Sequence, residues 1–183
     1  CLPKSMRRPV FESLIQSNLR YALCVWGSSN SKLLPLFKLQ KDAIRILYNI
    51  PKTDKYCKPH TKPTFSSESL LTIYSLYTLS VLTEMFSFFS PSVSLCHIIK
   101  FSSRNECLAL VPPGRKVYLD NNFMFSGPRF WNAALRNKTY FESPSCFFIP
   151  HHFKAAAIKL ISHLQNSGSE SNWTSLNTSL LSN

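Results

Sequence analysis

The stretch SNLRYALCVWGSSNSKLLPLFKLQKDAIRILYNIP, residues 17–51, decides how this chain folds. It joins an aromatic-rich segment ending at Trp26 and Gly27 to a long pattern with two distinct faces. At about 100° per residue, one face gathers the apolar side chains Leu33, Leu36, Phe37, Ile44 and Leu47. The pattern predicts a helix that tolerates Pro35 in its first turn and ends near Asn49.

The segment before this helix, residues 10–27, predicts a second helix. Its apolar residues near one face are Val10, Leu14, Ile15, Leu19 and Leu23. Gly27 is well placed as its C-terminal cap, and the short GSSNS turn then makes the two helices a hairpin. Trp26 has two possible roles: it either stacks on a nucleic-acid base or anchors the core of the hairpin.

The charge is unevenly distributed along the chain. The net charge is +12, of which residues 1–62 contribute +9 and residues 100–183 contribute +5, whereas residues 63–99 hold no Lys or Arg and two Glu. A basic N-terminal third followed by a nearly uncharged middle predicts one surface for a polyanion and one segment for the core.

The helix in the opening stretch presents a basic stripe opposite its apolar face. Lys38, Lys41 and Arg45 align there, and Asp42 is the one acidic residue between Gly27 and Pro51. Such a stripe is either a solvated helix face or a surface that contacts phosphates. Three phosphate contacts would give a log–log salt slope of roughly −2 to −3 without any reading of bases. The residues predicted to bind nucleic acid are Arg20, Lys38, Lys41, Arg45 and Lys52.

The middle segment SESLLTIYSLYTLSVLTEMFSFF has two interpretations, a membrane span or a buried helix. Glu84 interrupts it, Pro91 follows it, and Ser, Thr and Tyr recur throughout, which favours a buried core helix. The residues at helical spacing are Leu70, Ile73, Tyr74, Tyr77, Val81 and Met85.

The remaining sequence predicts a mainly α-helical chain with a loop-rich central insert. We divide it into a basic helical hairpin (1–66), an apolar core helix region (67–101), a loop-rich segment (102–125), C-terminal helices (126–166) and a disordered tail (167–183). The first C-terminal helix is expected after Pro128, with Phe130, Trp131, Ala134 and Leu135 packed. The second is expected to group Phe153, Ala156, Ala157, Leu160, Ile161 and Leu164.

The six cysteines are widely spaced and form no C-x-x-C pair. Two groups come nearest to a metal-ligand cluster: Cys57 with His60, and Cys96 with His97 and Cys107. Each group lacks the second pair of ligands that a closed tetrahedral site needs. Free thiols in a reducing compartment are therefore expected, and no metal site is predicted.

Several stretches together resemble a known family. LIQSNLRYALCVWGSSNSKLLPLFKLQKDAIRIL, YCKP, GPRFWNAAL and FKAAAIKLI occur in that order. They are similar to the region that follows the polymerase domain in reverse transcriptases of non-LTR, LINE-type retrotransposons of the jockey and related groups. The similarity spans about residues 5–165, and RYALCVWG with LQKDAIRIL is its most specific part.

The resemblance implies a thumb-like or connecting helical region that helps to hold the RNA template and nascent DNA. By position, one family signature is matched by Tyr21, Trp26 and Gly27. A second signature is matched by Gln40, Lys41 and Arg45. Gly127, Pro128, Trp131 and Asn132 match a third. None of these matches a catalytic residue of the family, so the resemblance implies structural roles for them.

Departures from the family limit the implied function. Polymerase chemistry needs clustered carboxylates for two Mg²⁺ ions, whereas the aspartates here are the isolated Asp42, Asp54 and Asp120. We therefore expect a fragment that lacks the catalytic palm, has no enzyme activity alone and needs no cofactor, Mg²⁺ being implied only for the missing upstream polymerase domain.

The expected partners are that polymerase domain and, weakly, the RNA and DNA backbone. No membrane partner is expected, and the expected location is intracellular, in the nucleus, the cytoplasm or both. The alternative is a co-opted or relic helical interaction module with no specific nucleic-acid role, whose basic face binds an acidic protein or nothing specific.

Overall fold

The computed structural model describes residues 2–51, 60–89, 108–111, 123–137, 140–141 and 150–167. Within these ranges the chain is mainly α-helical and contains no strand, as the sequence predicts. Its elements are α1 (Lys4–Val10), a π-helical segment (Phe11–Gln16), α2 (Ser17–Arg20), α3 (Leu23–Trp26), α4 (Asn30–Tyr48), α5 (Lys62–Ser67), α6 (Ile73–Phe89), α7 (Phe123–Arg136) and α8 (Pro150–Ser167).

Helix α6 is the centre of the fold. The helices α2, α3, α4, α7 and α8 all pack against it, and every residue from 73 to 79 is buried. The six residues predicted to face the core of this segment are all buried, which confirms the prediction of a core helix. In the part of the chain that the structure describes, no helix is both long and apolar enough to cross a membrane.

The segment predicted as one helix over residues 10–27 is broken, so that prediction is wrong in detail. The break lies at Tyr21 and Ala22, where Ala22 adopts a left-handed conformation with φ of 48°. Such a conformation costs roughly 1–2 kcal/mol for a residue with a Cβ. Burial of Leu23 against α6 offsets this cost, because the break turns α3 onto the central helix.

The long helix α4 has nearly the predicted bounds. It begins at Asn30, so Pro35 is its sixth residue and lies in the second turn, not in the first as predicted. It ends at Tyr48, where Asn49 adopts a left-handed conformation with φ of 53° and the Ile50 amide donates to the Arg45 carbonyl at 2.9 Å. This closure satisfies a terminal carbonyl and confirms the predicted end of the helix.

The C-terminal helices build the other side of the core. Helix α7 begins at Phe123, before the start predicted after Pro128, and encloses Gly127 and Pro128, both buried. The predicted apolar face of α8 is confirmed, with Leu164 partly buried and the other five residues buried. The rings of Trp131 and Phe153 stack with centroids 5.3 Å apart and join the two helices.

Some predictions lie outside the described residues. They include Lys52, the cysteines of both candidate metal-ligand groups, most of the loop-rich segment 102–125 and the tail after Ser167. Residues 123–125 of that segment are helical, which corrects the prediction of a loop there.

Candidate nucleic-acid interface

The basic stripe lies on the solvent side of α4. Burial of Leu33, Phe37 and Ile44 fixes the rotation of the helix about its axis. Because successive residues advance by about 100°, Lys41, Arg45 and Lys38 fall within roughly 60° of one another on one flank of the exposed side. The structure therefore brings these three predicted residues together.

The three cations differ in their surroundings. Lys38 is exposed. The Lys41 ammonium lies 4.5 Å from the centroid of the Phe37 ring. Arg45 is only 19% exposed in its side chain and donates from Nη1 to Asp42 Oδ1 at 2.9 Å. A phosphate approaching the stripe would meet Lys38 directly and would compete with Asp42 for the Arg45 guanidinium.

The second flank of α4 carries exposed aliphatic side chains that sequence reasoning missed. Leu39 is 63% exposed and Ile46 is 72% exposed. They are seven residues apart, so they lie on one line along the helix, separated from the basic flank by Asp42. We call this pair the aliphatic ridge. The signal was present in the sequence, since neither residue falls on the apolar face that packs against the core.

Arg20 is not part of the α4 stripe. It is exposed at the end of α2, which packs against α6 and the π-helical segment. There it lines a cleft of 250 Å³ between the α2–α3 turn and α6. The residues around the cleft are Arg20, Ala22, Leu23, Cys24, Ser80, Thr83 and Glu84. Burial, and secondarily the charge of Glu84, raises the pKa of the Cys24 thiol, so the neutral thiol is favoured.

The first signature matched by the family resemblance surrounds this turn. Tyr21 is 81% exposed, whereas Trp26 is partly buried against the core. The Trp26 indole N–H donates to the Tyr21 carbonyl at 2.8 Å, which supports an anchoring role for this tryptophan. Gly27 is buried, and a Cβ on it would lie 2.6 Å from Cδ2 of Tyr77. The glycine therefore allows the end of α3 to approach α6.

Gln40, the first residue of the second signature, lies on α4 and is fully buried. Its side-chain amide donates to the Leu71 carbonyl at 2.9 Å, and its Oε1 accepts from the Ile73 amide at 3.0 Å. Both bonds satisfy backbone groups at the beginning of α6, which have no partner within the helix. Gln40 thus fastens α4 to the central helix.

A second glutamine, Gln165 of α8, binds the same segment from the other side. Its amide donates to the Leu70 carbonyl at 2.9 Å, and its Oε1 accepts from the Thr72 amide at 3.1 Å. Thr72 Oγ1 in turn accepts from the Ser75 amide at 3.3 Å, as an N-cap does. Sequence reasoning missed Gln165, whose one signal is a polar residue within the apolar stripe of α8.

The third signature lies within α7. Gly127 is buried, and a Cβ on it would lie 2.9 Å from Met85 Sδ. Trp131 is fully buried. The Asn132 side chain forms two hydrogen bonds with the backbone of Ala109, donating to its carbonyl at 2.8 Å and accepting from its amide at 2.9 Å. This pairing attaches the 108–111 segment to the helix in the way that a neighbouring strand would.

No metal centre is formed by the described part of the chain, where no group of three or more His, Cys, Asp or Glu side chains comes together. Cys24 is a free thiol. The chain matches no protein-family model, no curated protein and no solved structure. The resemblance to reverse transcriptases therefore stays a prediction.

Proposed function

We propose that this chain is the post-polymerase helical region of a non-LTR retrotransposon reverse transcriptase. It acts in the nucleus or the cytoplasm, is catalytically silent alone and binds the phosphate backbone of RNA and DNA weakly. The observation that supports binding is the row of Lys38, Lys41 and Arg45 along one flank of a helix whose apolar face is fixed in the core, with Lys38 exposed and Lys41 and Arg45 half-buried. Cations placed in this way contact phosphates without reading bases.

The partly paired state of Arg45 is consistent with weak binding. Its ion pair with Asp42 is part-buried, since the Arg45 side chain is 19% exposed and the Asp42 side chain 45% exposed. A phosphate must therefore compete with Asp42 for the Arg45 guanidinium, which limits the contribution of Arg45 to binding. The expected affinity is salt-dependent and independent of sequence.

The test replaces the three cations together, as Lys38→Gln, Lys41→Gln and Arg45→Gln. We expect weaker binding of every RNA and DNA tested, with the log–log salt slope shallower by roughly 2 to 3, measured by fluorescence anisotropy between low and moderate salt. The matched control removes three charges elsewhere through Arg136→Gln, Lys154→Gln and Lys159→Gln, all exposed on α7 and α8. An equal loss in both variants, or no loss in the first, would overturn the stripe as the binding surface.

The parentage of the chain has its own test. Reading the transcript upstream of the Cys1 codon shows whether the same frame continues into an aromatic-x-Asp-Asp motif. A continuous frame supports a polymerase of which this chain is a part. A stop or an unrelated exon instead supports the relic or co-opted module.

The aliphatic ridge favours a second candidate, a helical interaction module that binds an acidic protein. Leu39 and Ile46 lie beside the basic flank, so α4 presents one apolar line and one cationic line to solvent. That combination complements an amphipathic helix with one acidic flank. A designed peptide of this kind should bind the chain and lose affinity on Leu39→Ser with Ile46→Ser, two changes that leave phosphate binding intact.

A further inference from the structure

The cleft between the α2–α3 turn and α6 holds two opposite charges that face a common space. Arg20 comes from one wall and Glu84 from the other, and both are exposed. Within the described part of the chain they form no ion pair with each other, since the ion pairs there join Arg8 to Glu12 and Arg45 to Asp42. A guanidinium and a carboxylate are thus both available to a ligand in the cleft.

The other lining groups are a mixture of polar and apolar surface. Ser80 and Thr83 bring hydroxyl groups from α6, and the Thr83 hydroxyl already donates to the Leu79 carbonyl at 2.7 Å, which leaves its oxygen as an acceptor. Ala22 and Leu23 supply aliphatic surface from the turn. The volume of 250 Å³ is below the range of about 300–1,000 Å³ typical of drug-sized ligands, so the cleft suits one small group.

Tyr21 is not itself among the lining residues, but its chain neighbours Arg20 and Ala22 are, and it is the most exposed large hydrophobic residue of the described chain. Its backbone is nevertheless held firmly. The Tyr21 amide donates to the Asn18 carbonyl at 3.3 Å, and its carbonyl accepts from the Trp26 indole. An exposed aromatic ring on a fixed turn is a stacking surface that loses little entropy when a base binds.

We propose that this cleft binds a single unpaired nucleotide of a nucleic-acid strand. The base stacks on Tyr21, the Arg20 guanidinium contacts the phosphate, and Glu84 accepts a hydrogen bond from an exocyclic amino group of the base. This inference deepens the proposed function and rests on it for the nature of the polymer. The carboxylate of Glu84 repels phosphate, so the base edge occupies the α6 side and the phosphate the α2 side.

The chemistry selects a single strand over a duplex. Stacking on a protein ring and hydrogen bonding to the edge of a base both require that the base be splayed from its neighbours, as in loops and single strands. Among bases, cytosine presents an amino group at the position where uracil has a carbonyl, and a carboxylate accepts only from the former. The cleft therefore prefers cytosine to uracil.

The test uses mononucleotides with the intact chain, so that the α4 stripe does not decide the result. CMP, UMP and ribose 5-phosphate are titrated by NMR in the millimolar range, with the amide signals of Ser80 and Thr83 reporting the position. We expect CMP to bind more tightly than UMP and ribose 5-phosphate to bind least. Tyr21→Ala should weaken CMP binding about 5- to 100-fold, Tyr21→Phe should retain it, and Glu84→Ala should abolish the difference between CMP and UMP.

The matched control is Val25→Ala, an exposed change on the adjoining helix α3 that should leave CMP binding unaltered. Because Tyr21, Val25 and Glu84 are all exposed, each variant is expected to fold, which circular dichroism checks. Equal binding of the three ligands, or no binding, would overturn the proposal that the cleft binds a nucleotide. Phosphate binding by the basic stripe would still be tested separately by its salt slope. CMP binding combined with RNA affinity indifferent to the three stripe substitutions would instead reject the stripe and keep the cleft.

Discussion

At the scale of single residues, the two buried glutamines show how α6 is held in place. Gln40 and Gln165 satisfy the backbone of residues 70–73 from opposite sides, where the chain enters the central helix. Unpaired groups there would be costly because water does not reach them. The glutamines therefore determine where α6 begins and which helices contact its first turn.

Replacing Gln40 by Ala should destabilise the fold strongly. The change leaves the Leu71 carbonyl and the Ile73 amide buried without partners, at about 1–3 kcal/mol for each group. We expect the free energy of unfolding, measured in urea, to fall by about 2–4 kcal/mol. The neighbouring exposed change Leu39→Ala should alter it by less than about 0.5 kcal/mol. A similar small effect for both would show that Gln40 does not support α6.

The sequence allowed only half of this arrangement to be predicted. Gln40 was singled out through the family resemblance, but its partners are more than 30 positions away along the chain. Gln165 bonds to groups 93 and 95 positions away, and no local pattern encodes contacts of that separation. Periodicity identifies which face of a helix packs, whereas side-chain pairing with distant backbone requires the folded structure.

At the scale of elements, two glycines mark close approaches to α6. Gly27 ends α3, and a Cβ there would lie 2.5 Å from the Leu23 carbonyl oxygen and 2.6 Å from the Tyr77 ring. Gly127 lies inside α7, and a Cβ there would meet Met85 Sδ at 2.9 Å. The first contact involves backbone and a buried ring, and the second involves a flexible thioether.

Gly27→Ala and Gly127→Ala should therefore differ in effect. At Gly27 the Leu23 carbonyl can yield only if α3 distorts and the Tyr77 ring only if α3 moves from α6, and we expect a loss of about 1–3 kcal/mol. At Gly127 the Met85 side chain can adjust, and the gain in helix propensity of about 1 kcal/mol offsets much of the cost. Thermal denaturation of the two variants checks the order. A larger loss at Gly127 would contradict the packing described for α3.

The boundaries of the elements were harder to predict than their existence. The sequence predicted α4, α6 and α8 because each has a sustained periodic pattern. It placed the start of α7 after Pro128, because a proline usually opens a helix. In the structure α7 already begins at Phe123, and Gly127, which lies against Met85 of α6, and Pro128 are both buried inside it. Tertiary packing thus overrode a local signal.

At the scale of the whole molecule, the sequence predicted which cations form the candidate site but not which side chains surround them. The sequence identified the row of Lys38, Lys41 and Arg45. It did not show that Arg45 is paired with Asp42 or that Arg20 belongs to a separate cleft. These properties depend on side-chain rotamers and on helices that lie far apart in sequence.

The core gives the whole chain a defined response to alkaline pH. Burial raises the pKa of Tyr74 above its ordinary value of 10.0 and also raises that of Tyr77, for which a hydrogen bond with Ser126 acts in the opposite direction. Since both groups hold their protons more tightly in the folded chain than in the unfolded one, stability is fully present below pH about 10 and decreases as the pH rises above it.

Tyr74→Phe and Tyr77→Phe separate this titration from hydrogen bonding. The Tyr74 hydroxyl has no hydrogen-bond partner among the described residues, so its removal should leave stability at pH 8 unchanged or increase it by about 1 kcal/mol. Tyr77→Phe should lower it by about 1 kcal/mol, because its bond to Ser126 is lost. Both variants should lose less stability than the parent chain between pH about 9 and 11, measured as urea midpoints. The control is the exposed change Tyr21→Phe, whose urea midpoints should equal those of the parent chain at every pH. If the midpoints of all four proteins fall in parallel as the pH rises, the buried tyrosines are not the source of the alkaline loss of stability.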